Sequence, residues 1–438
     1  MKFFILILFL GVAWASSKQE INEEVQPEQV HLSFGDATNE IVVTWSTLAE
    51  AKSVVLYGIH ETNKRATGSS SVFVDGGKER RKQWIHRVKL KNLAHNTKYV
   101  YKAGSDAGYS QQFSFRTPPA GENWPMRIAI YGDMGVNNSM ALPYLKRDVE
   151  AGMYDFILHV GDFAYDMNEQ GGRVGDQFMN KIEPLAANLP YMTCPGNHES
   201  AYNFTHYSHR FTMPGDRSSL FYSFDVGPVH FVSISTEVYY FTQYGLKLIS
   251  DQYHWLKKDL EKAAKIENRQ KRPWIVVFGH RPMYCSNSDD YDCSVEYTRV
   301  GLYGFFGLEP LLKDYGVDIA LWAHEHSYER TWPLYDQRMY NGTTHPYTNP
   351  GAPVHIITGS AGCREGKDPF KKRPSKWSAF RSSSYGYTRA YVNKTHIYIR
   401  QVEVGKRRLW RLCPPSIIDS FFIIKHPVYQ THKTTEEF

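Results

Sequence analysis

The chain has 438 residues, enough for two or three domains that each bury a core. With 42% apolar, 22% charged and 15% aromatic residues, it is no coiled coil, collagen or disordered chain. A formal charge of +6, from 51 basic against 45 acidic residues, is too small over this length to argue for nucleic acid and fits a small anionic substrate equally well. Five cysteines are too few for a disulfide scaffold, and the odd number leaves at least one thiol free or paired between chains.

At the amino end Lys2 precedes an apolar run from Phe3 to about Ala13, and Ala13-Trp14-Ala15 places small residues where signal peptidase reads them. Cleavage after Ala15 is expected. The alternative, a membrane anchor, needs about 20 apolar residues where the run offers about a dozen. No later segment is long and apolar enough to span, and the polar end, Thr431 to Phe438, lacks the tail of a lipid-anchor signal. Four sequons, at Asn137, Asn203, Asn341 and Asn393, agree with export. The expected destination is outside the cell, with the lysosome as the alternative.

Between Val30 and Pro119 the pattern predicts short strands. Val30, Leu32 and Phe34 alternate with polar residues, as do Ile41, Val43 and Trp45, then Phe113 and Phe115. Further runs lie at Val54 to Tyr57, Val72 to Val74, Ile85 to Leu90 and Tyr99 to Tyr101. Seven such runs separated by turn residues predict a two-sheet sandwich, and Thr97 to Gly104 resembles the penultimate strand of a fibronectin type III module. Thr117-Pro118-Pro119 and the three residues after it read as a linker, because two prolines stop a strand.

After Trp124 apolar strands alternate with amphipathic helices, the texture of an α/β domain. Strands are expected at Arg127 to Tyr131, Asp155 to Val160, Val229 to Ser235, Trp274 to Phe278 and Asp318 to Trp322. Helices are expected at Leu142 to Glu150, Asp176 to Asn188, Asp251 to Ile266 and Leu308 to Tyr315. In the third, Ser250 is the expected cap, with Tyr253, Leu256, Leu260 and Ala263 on one face against Lys257, Lys258, Glu261 and Lys262 on the other.

Each expected strand runs out into a polar residue able to bind a metal. The ends give Asp133, then Asp162 and Tyr165, then Asn197 and His198, then His280, then His324 and His326. Open α/β sheets build their sites at such carboxyl ends. A glycine before Asp133, Asp162, Asn197 and His280 would allow a sharp exit from each strand. Singly, a Gly-Asp or Gly-His dipeptide is only a turn. Together, two carboxylates, an amide, three imidazoles and a phenol are oxygen and nitrogen donors suited to a pair of borderline to hard cations. His324 and His326, two apart at a strand end, would face the same way.

The blocks GDMG, GDFAY, GNHE, VVFGH and AHEH, in that order, resemble the five signature blocks of the purple acid phosphatases within the metallophosphoesterase fold. Later text, Gly386 to Ile397 and Ile417 to Lys425, is similar as well. After the signal peptide expected over 1–15, the resemblance implies a fibronectin type III-like all-β sandwich over 26–119 and an α/β metallophosphoesterase domain of two packed mixed β-sheets flanked by helices over 124–400. A C-terminal segment, 401–438, would pack on that domain and end in a polar tail. It further implies iron(III) on Asp133, Tyr165 and His326, a divalent zinc, manganese or iron(II) on Asn197, His280 and His324, and Asp162 bridging the two. The implied activity is acid phosphatase: hydroxide held by the metals attacks a phosphate monoester in line, and His198 protonates the leaving group or merely orients the site. Tyr165 as a ligand would colour the protein, whereas packed over the sheet it would not. The implied partners are small phosphorylated substrates, with neither nucleic acid nor a membrane span. A phosphodiesterase or nucleotide pyrophosphatase on the same metals is the nearest alternative, and a secreted binding protein with an inert catalytic domain is the remote one.

The chain departs from the family pattern in two places. Ala323 stands where the last block commonly has glycine, and the loop after His280 holds Arg281 and a CSNSDDYDC run in place of further histidines. Cys285 and Cys293 are expected to close that loop. Arg281 offers charge to substrate or pairs with a local carboxylate. Glu365, in a late glycine-rich loop, is a candidate substrate contact. Cys194 reads as a buried thiol, Cys363 and Cys413 as a conceivable pair, and a glycan on Asn137 would sit near the cleft.

Overall fold

The computed structural model describes residues 23–426 except 216–218, 289–292, 294, 406, 409–410 and 413. The expected signal peptide, the polar tail and Cys413 lie outside the described residues.

Glu28–Phe34, Ile41–Thr47, Lys82–Leu90 and Ser69–Val74 form one antiparallel sheet, joined in the order 28–34, 41–47, 82–90, 69–74. A second is built on Val54–Gly58 and Lys98–Ser105, with Phe113–Arg116 on the latter. The alternating side chains Val30, Leu32, Trp45, Val88, Tyr101 and Phe115 meet between the two sheets and are buried. Two short strands, Lys64–Thr67 and Gly108–Tyr109, add to the seven expected runs. Lys64–Thr67 is exposed apart from half-buried Ala66 and carries no apolar alternation, which is why the pattern hides it. The linker begins later than its prolines suggest: Thr117 Oγ1 donates to Ala94 O at 2.6 Å and Pro118 O accepts from Asn96 N at 2.9 Å.

The remainder is two mixed sheets packed face to face. The first runs in the order Tyr191–Cys194, Phe156–Val160, Met126–Tyr131, Gly386–Val392, His396–Glu403, Ser416–Ile424, with the first three parallel. The second places Val229–Ser233, Trp274–Phe278, Ile319–Trp322 and Val354–Thr358 side by side and parallel. Aromatic residues fill the space between them, as where Phe156 meets Phe231 edge-on with centroids 5.4 Å apart. Because both sheets are covered on two faces, their parallel strands read as unbroken apolar runs.

The helix expected over Asp251 to Ile266 begins a turn earlier, at Lys247–Ala264, and buries Ile249, Leu256, Leu260 and Ala263 against the second sheet. Ser250 therefore does not cap it; its hydroxyl donates to Lys247 O inside the first turn. The sandwich docks through its first strand. Gln29 N and Val30 N donate to Asn180 Oδ1 and Glu183 Oε2 on the helix Arg173–Ala186, and buried Arg210 donates to Gln29 Oε1 and pairs with Asp176 at 2.8 Å.

Candidate metal centre

The parallel strands of both sheets end at one place, so three loops from the first sheet and two from the second deliver all seven expected donors to a single buried cluster. Four of those donors sit on left-handed backbone: φ is 59° at Asp133, 56° at Asp162, 57° at Tyr165 and 69° at His324. Each such non-glycine residue costs about 1–3 kcal/mol, which the packed strands on either side must offset.

The glycines act differently from the expectation. Gly161 alone among the four has a left-handed φ, of 82°. Gly132, Gly196 and Gly279 are needed for room: a Cβ would strike Ala323 Cβ, Asp162 Oδ1 and Ile234 Cγ1 respectively. The Ala323 departure is thus accommodated by the bare Gly132 facing it. His324 and His326 also lie past the end of their strand, Ile319–Trp322, in an irregular loop. Positive φ at His324, not strand alternation, separates the two rings onto different sides of the cluster.

One side gathers Asp133, Tyr165 and His326. Tyr165 Oη lies 2.8 Å from His326 Nε2 and donates to Asp133 Oδ1 at 3.2 Å. Asp133 Oδ2 accepts from His324 N at 3.0 Å, which fixes the carboxylate. The other side gathers Asn197, His280 and His324. His280 Nε2 is 3.0 Å from Asn197 Oδ1 and 3.2 Å from Asp162 Oδ2. Nδ1 of His280 faces Val160 O at 3.0 Å, a contact that turns Nε2 toward the cluster. Donor atoms of Asp162, His280 and His324 all lie within 4.8 Å of one another. Asp162 interacts electrostatically with both sides, with His280 on one and with Asp133 and Tyr165 on the other.

The donor set fits a pair of cations. Desolvation of the His324 ring, with Arg281 and His280 beside it, holds its pKa well below the ordinary value and leaves its imidazole neutral. Its Nε2 accepts from Arg281 Nη1 at 3.1 Å. Burial opposes the charge of Asp162, yet His280 and His198 hold its carboxyl far below the usual range. Burial and neighbouring Asp162 push Asp133 up, so the protein alone does not keep both carboxylates ionised. A bound cation supplies the charge that would do so.

His198 lies at the rim of this cluster. Burial disfavours its charge, but Asp162 and Asp166 raise its pKa to about 10. Nδ1 is 2.5 Å from Asp166 Oδ1, and Nε2 is 3.8 Å from Asp162 Oδ2 and 3.5 Å from Glu365 Oε1. Glu365, half-exposed, therefore reaches the site as a charge partner of His198. Arg281 pairs with a local carboxylate, Nε to Glu237 Oε2 at 2.9 Å, while Nη1 lies 3.1 Å from His324 Nε2. Cys285 and Cys293 are bridged, and Cys194 and Cys363 are buried free thiols. Asn137, Asn203 and Asn341 are exposed and Asn393 is half-buried. Asn137 and Tyr165 line one small cavity of about 90 Å3.

Several supporting residues escape a motif reading. Buried Glu199 accepts from Asp162 N, Phe163 N and Gly196 N at 2.8–2.9 Å, knitting two ligand loops together. Asp368 accepts from His326 N, and Arg364 binds Asp166 and Glu169. Glu199 closes the GNHE block and Asp166 directly follows GDFAY, and that placement was their only sequence signal.

Comparison with known proteins agrees with this geometry. Residues 126–328 match a calcineurin-like phosphoesterase family model, 27–117 a purple acid phosphatase N-terminal domain, and 352–408 an iron/zinc purple acid phosphatase-like protein C domain. Fold and site together define a calcineurin-like phosphoesterase. Over 386 residues, 86% of this chain and 88% of the relative, the sequence is 54% identical to acid phosphatase type 7 of Mus musculus. It is 53% identical to the Homo sapiens protein of the same name over 384 residues, 86% of this chain and 87% of the relative. The chain belongs to the purple acid phosphatase family. Among solved structures, a purple acid phosphatase from yellow lupin (Lupinus luteus) seeds superposes with a TM-score of 0.77 at 26% identity, covering 92% of this chain and 75% of that one.

Proposed function

We propose that this protein is an acid phosphatase that hydrolyses small phosphate monoesters at a two-metal centre. The convergence of Asp133, Asp162, Tyr165, Asn197, His280, His324 and His326 from five strand ends carries the reading, and the names of its relatives support it. Asp133, Tyr165 and His326 would hold iron(III), because a trivalent ion favours anionic oxygen; Asn197, His280 and His324 would hold zinc, manganese or iron(II), with Asp162 shared. Bound there, the two cations would clamp a phosphate, offset its charge and lower the pKa of water at the site.

The chain's own groups supply orientation and the proton. Asp166 orients His198 through Nδ1 and keeps it protonated, leaving the Nε2 proton for the departing alkoxide. Arg281, immobilised on Glu237, adds fixed positive charge beside His324. Export through the amino-terminal apolar run, glycans at the four sequons, and an extracellular or lysosomal destination complete the proposal. Metal analysis combined with hydrolysis of a chromogenic phosphomonoester from pH 4 to 8 tests it. Two metals per chain with an acidic optimum are expected; a metal-replete protein that cleaves diesters but no monoester would overturn it.

A further inference from the structure

The site has an apolar annex. Gly301–Leu302 and Phe305–Phe306 pair as a short hairpin that raises Tyr303, 97% exposed, and Phe305, 69% exposed, into solvent. Facing it are Leu246, 61% exposed, and the rings of Tyr240 and Tyr297, whose centroids are 5.5 Å apart. Between them lies a groove of about 580 Å3, and among the described residues no charged side chain lines it. Isolated exposed apolar residues need no explanation, but an aromatic groove of this size does. Its floor is fixed: Tyr239 Oη donates to Phe306 O at 2.6 Å, and Phe306 packs edge-on against Tyr253.

The inner end of the groove abuts the candidate metal centre across Arg281. Arg281 lays its guanidinium on the Tyr240 ring, Cζ 4.3 Å from the centroid, and its Nη1 is 3.1 Å from His324 Nε2. One guanidinium thus separates the groove from a metal-ligating imidazole. A phosphate held by the cations must extend the remainder of its ester away from them, and Tyr240 is the first surface beyond Arg281 in this direction. Flat aromatic walls with no charge fit a flat aromatic group, which gains offset or edge-on contacts in addition to burial.

Resting on the phosphatase reading above, we propose that this groove is the leaving-group subsite and that it selects phosphate monoesters of aromatic alcohols over those of small polar ones. The test uses two uncleavable probes with the same head, 1-naphthylmethylphosphonate and methylphosphonate, so leaving-group ability plays no part. As competitive inhibitors, the naphthyl compound is expected to bind at least about tenfold more tightly, an advantage of about 1.4 kcal/mol. Titration followed by naphthyl fluorescence should give the same preference without turnover. Phe305→Ser and Tyr297→Leu should each reduce that advantage severalfold while leaving methylphosphonate inhibition and glycerol phosphate hydrolysis unchanged. Tyr297 is half-buried, so the surface change Phe305→Ser preserves the test if the other variant misfolds.

Equal affinity for both phosphonates, or an advantage untouched by either variant, overturns the proposal. So does a dimer that the variants convert to monomer, or binding to phosphatidylcholine vesicles that they abolish, when the phosphonate preference survives: a second copy or a lipid surface would then own the groove. If no monoester is hydrolysed, the phosphatase reading fails by itself, and the fluorescence titration still decides whether the groove holds an aryl group.

Discussion

At the residue scale, the site depends on where a methyl group can be tolerated. Gly196→Ala puts a Cβ into Asp162 Oδ1, the proposed bridging carboxylate, while leaving the flanking strands intact. Metal content measured by plasma emission is expected to fall at least twofold, with the far-ultraviolet circular dichroism unchanged. Tyr165→Phe removes the one phenol in the cluster, so the visible absorption expected of an iron-loaded protein should vanish, as an optical spectrum would show. The seven donors were legible because each ends an apolar run with a polar residue, and such a break shows in one dimension. Glu199 and Asp368 were not, because they act by accepting backbone N–H groups of loops distant in sequence. Nor was the left-handed backbone at Asp133, where the glycine neighbour Gly132 suggested the positive φ in the wrong residue.

At the element scale, two buried polar links set how stability responds to mutation and pH. Arg210 is nearly fully buried and ties the helix Ala201–Arg210 to Asp176 and to the first strand of the sandwich. Burial pushes Asp176 up, but Arg210 and Arg81 outweigh it and hold the carboxyl down. Arg210→Ala is therefore expected to cost about 3 kcal/mol, read from the urea midpoint at an unchanged slope. His230 joins the strand Val229–Ser233 to Asp225 and to Asp259 on the helix Lys247–Ala264, at 2.8 Å each. Burial opposes its charge, yet the two carboxylates raise its pKa to about 9 against an ordinary 6.5. A raised histidine stabilises fully below about pH 6.5 and loses that contribution as pH rises through 9. The stability gap between wild type and His230→Gln, roughly 3 kcal/mol at pH 5–6, should close by pH 10, as melting temperatures across that range would show. His86 responds in the opposite sense: burial lowers it to about 4, so its environment favours folding above 6.5 and less so as pH falls to 4. The central strands and helices were readable from periodicity. The helix start at Lys247 was not, because no side chain caps it and Ser250 offered a better-looking one.

At the scale of the molecule, the sandwich and the alternating strands were apparent from the order of apolar runs, whereas closure of the first sheet was not. Gly386–Val392, His396–Glu403 and Ser416–Ile424 alternate like strands of any antiparallel ribbon, and nothing local says that they return to Met126–Tyr131. Pairing between segments so far apart in the chain is decided by the whole core. A chain ending at Gly405 loses Ser416–Ile424, the edge partner of His396–Glu403, and bares Phe421 and Ile423 contacts. Its soluble yield is expected to drop severalfold, measured by fractionating lysate of expressing cells. The same return has a consequence in time. Ile130, two residues before the Gly-Asp133 turn, pairs with Thr388, and more than half the chain is synthesised between them. Until Gly386–Val392 has been synthesised, Met126–Tyr131 therefore keeps one sheet edge unpaired.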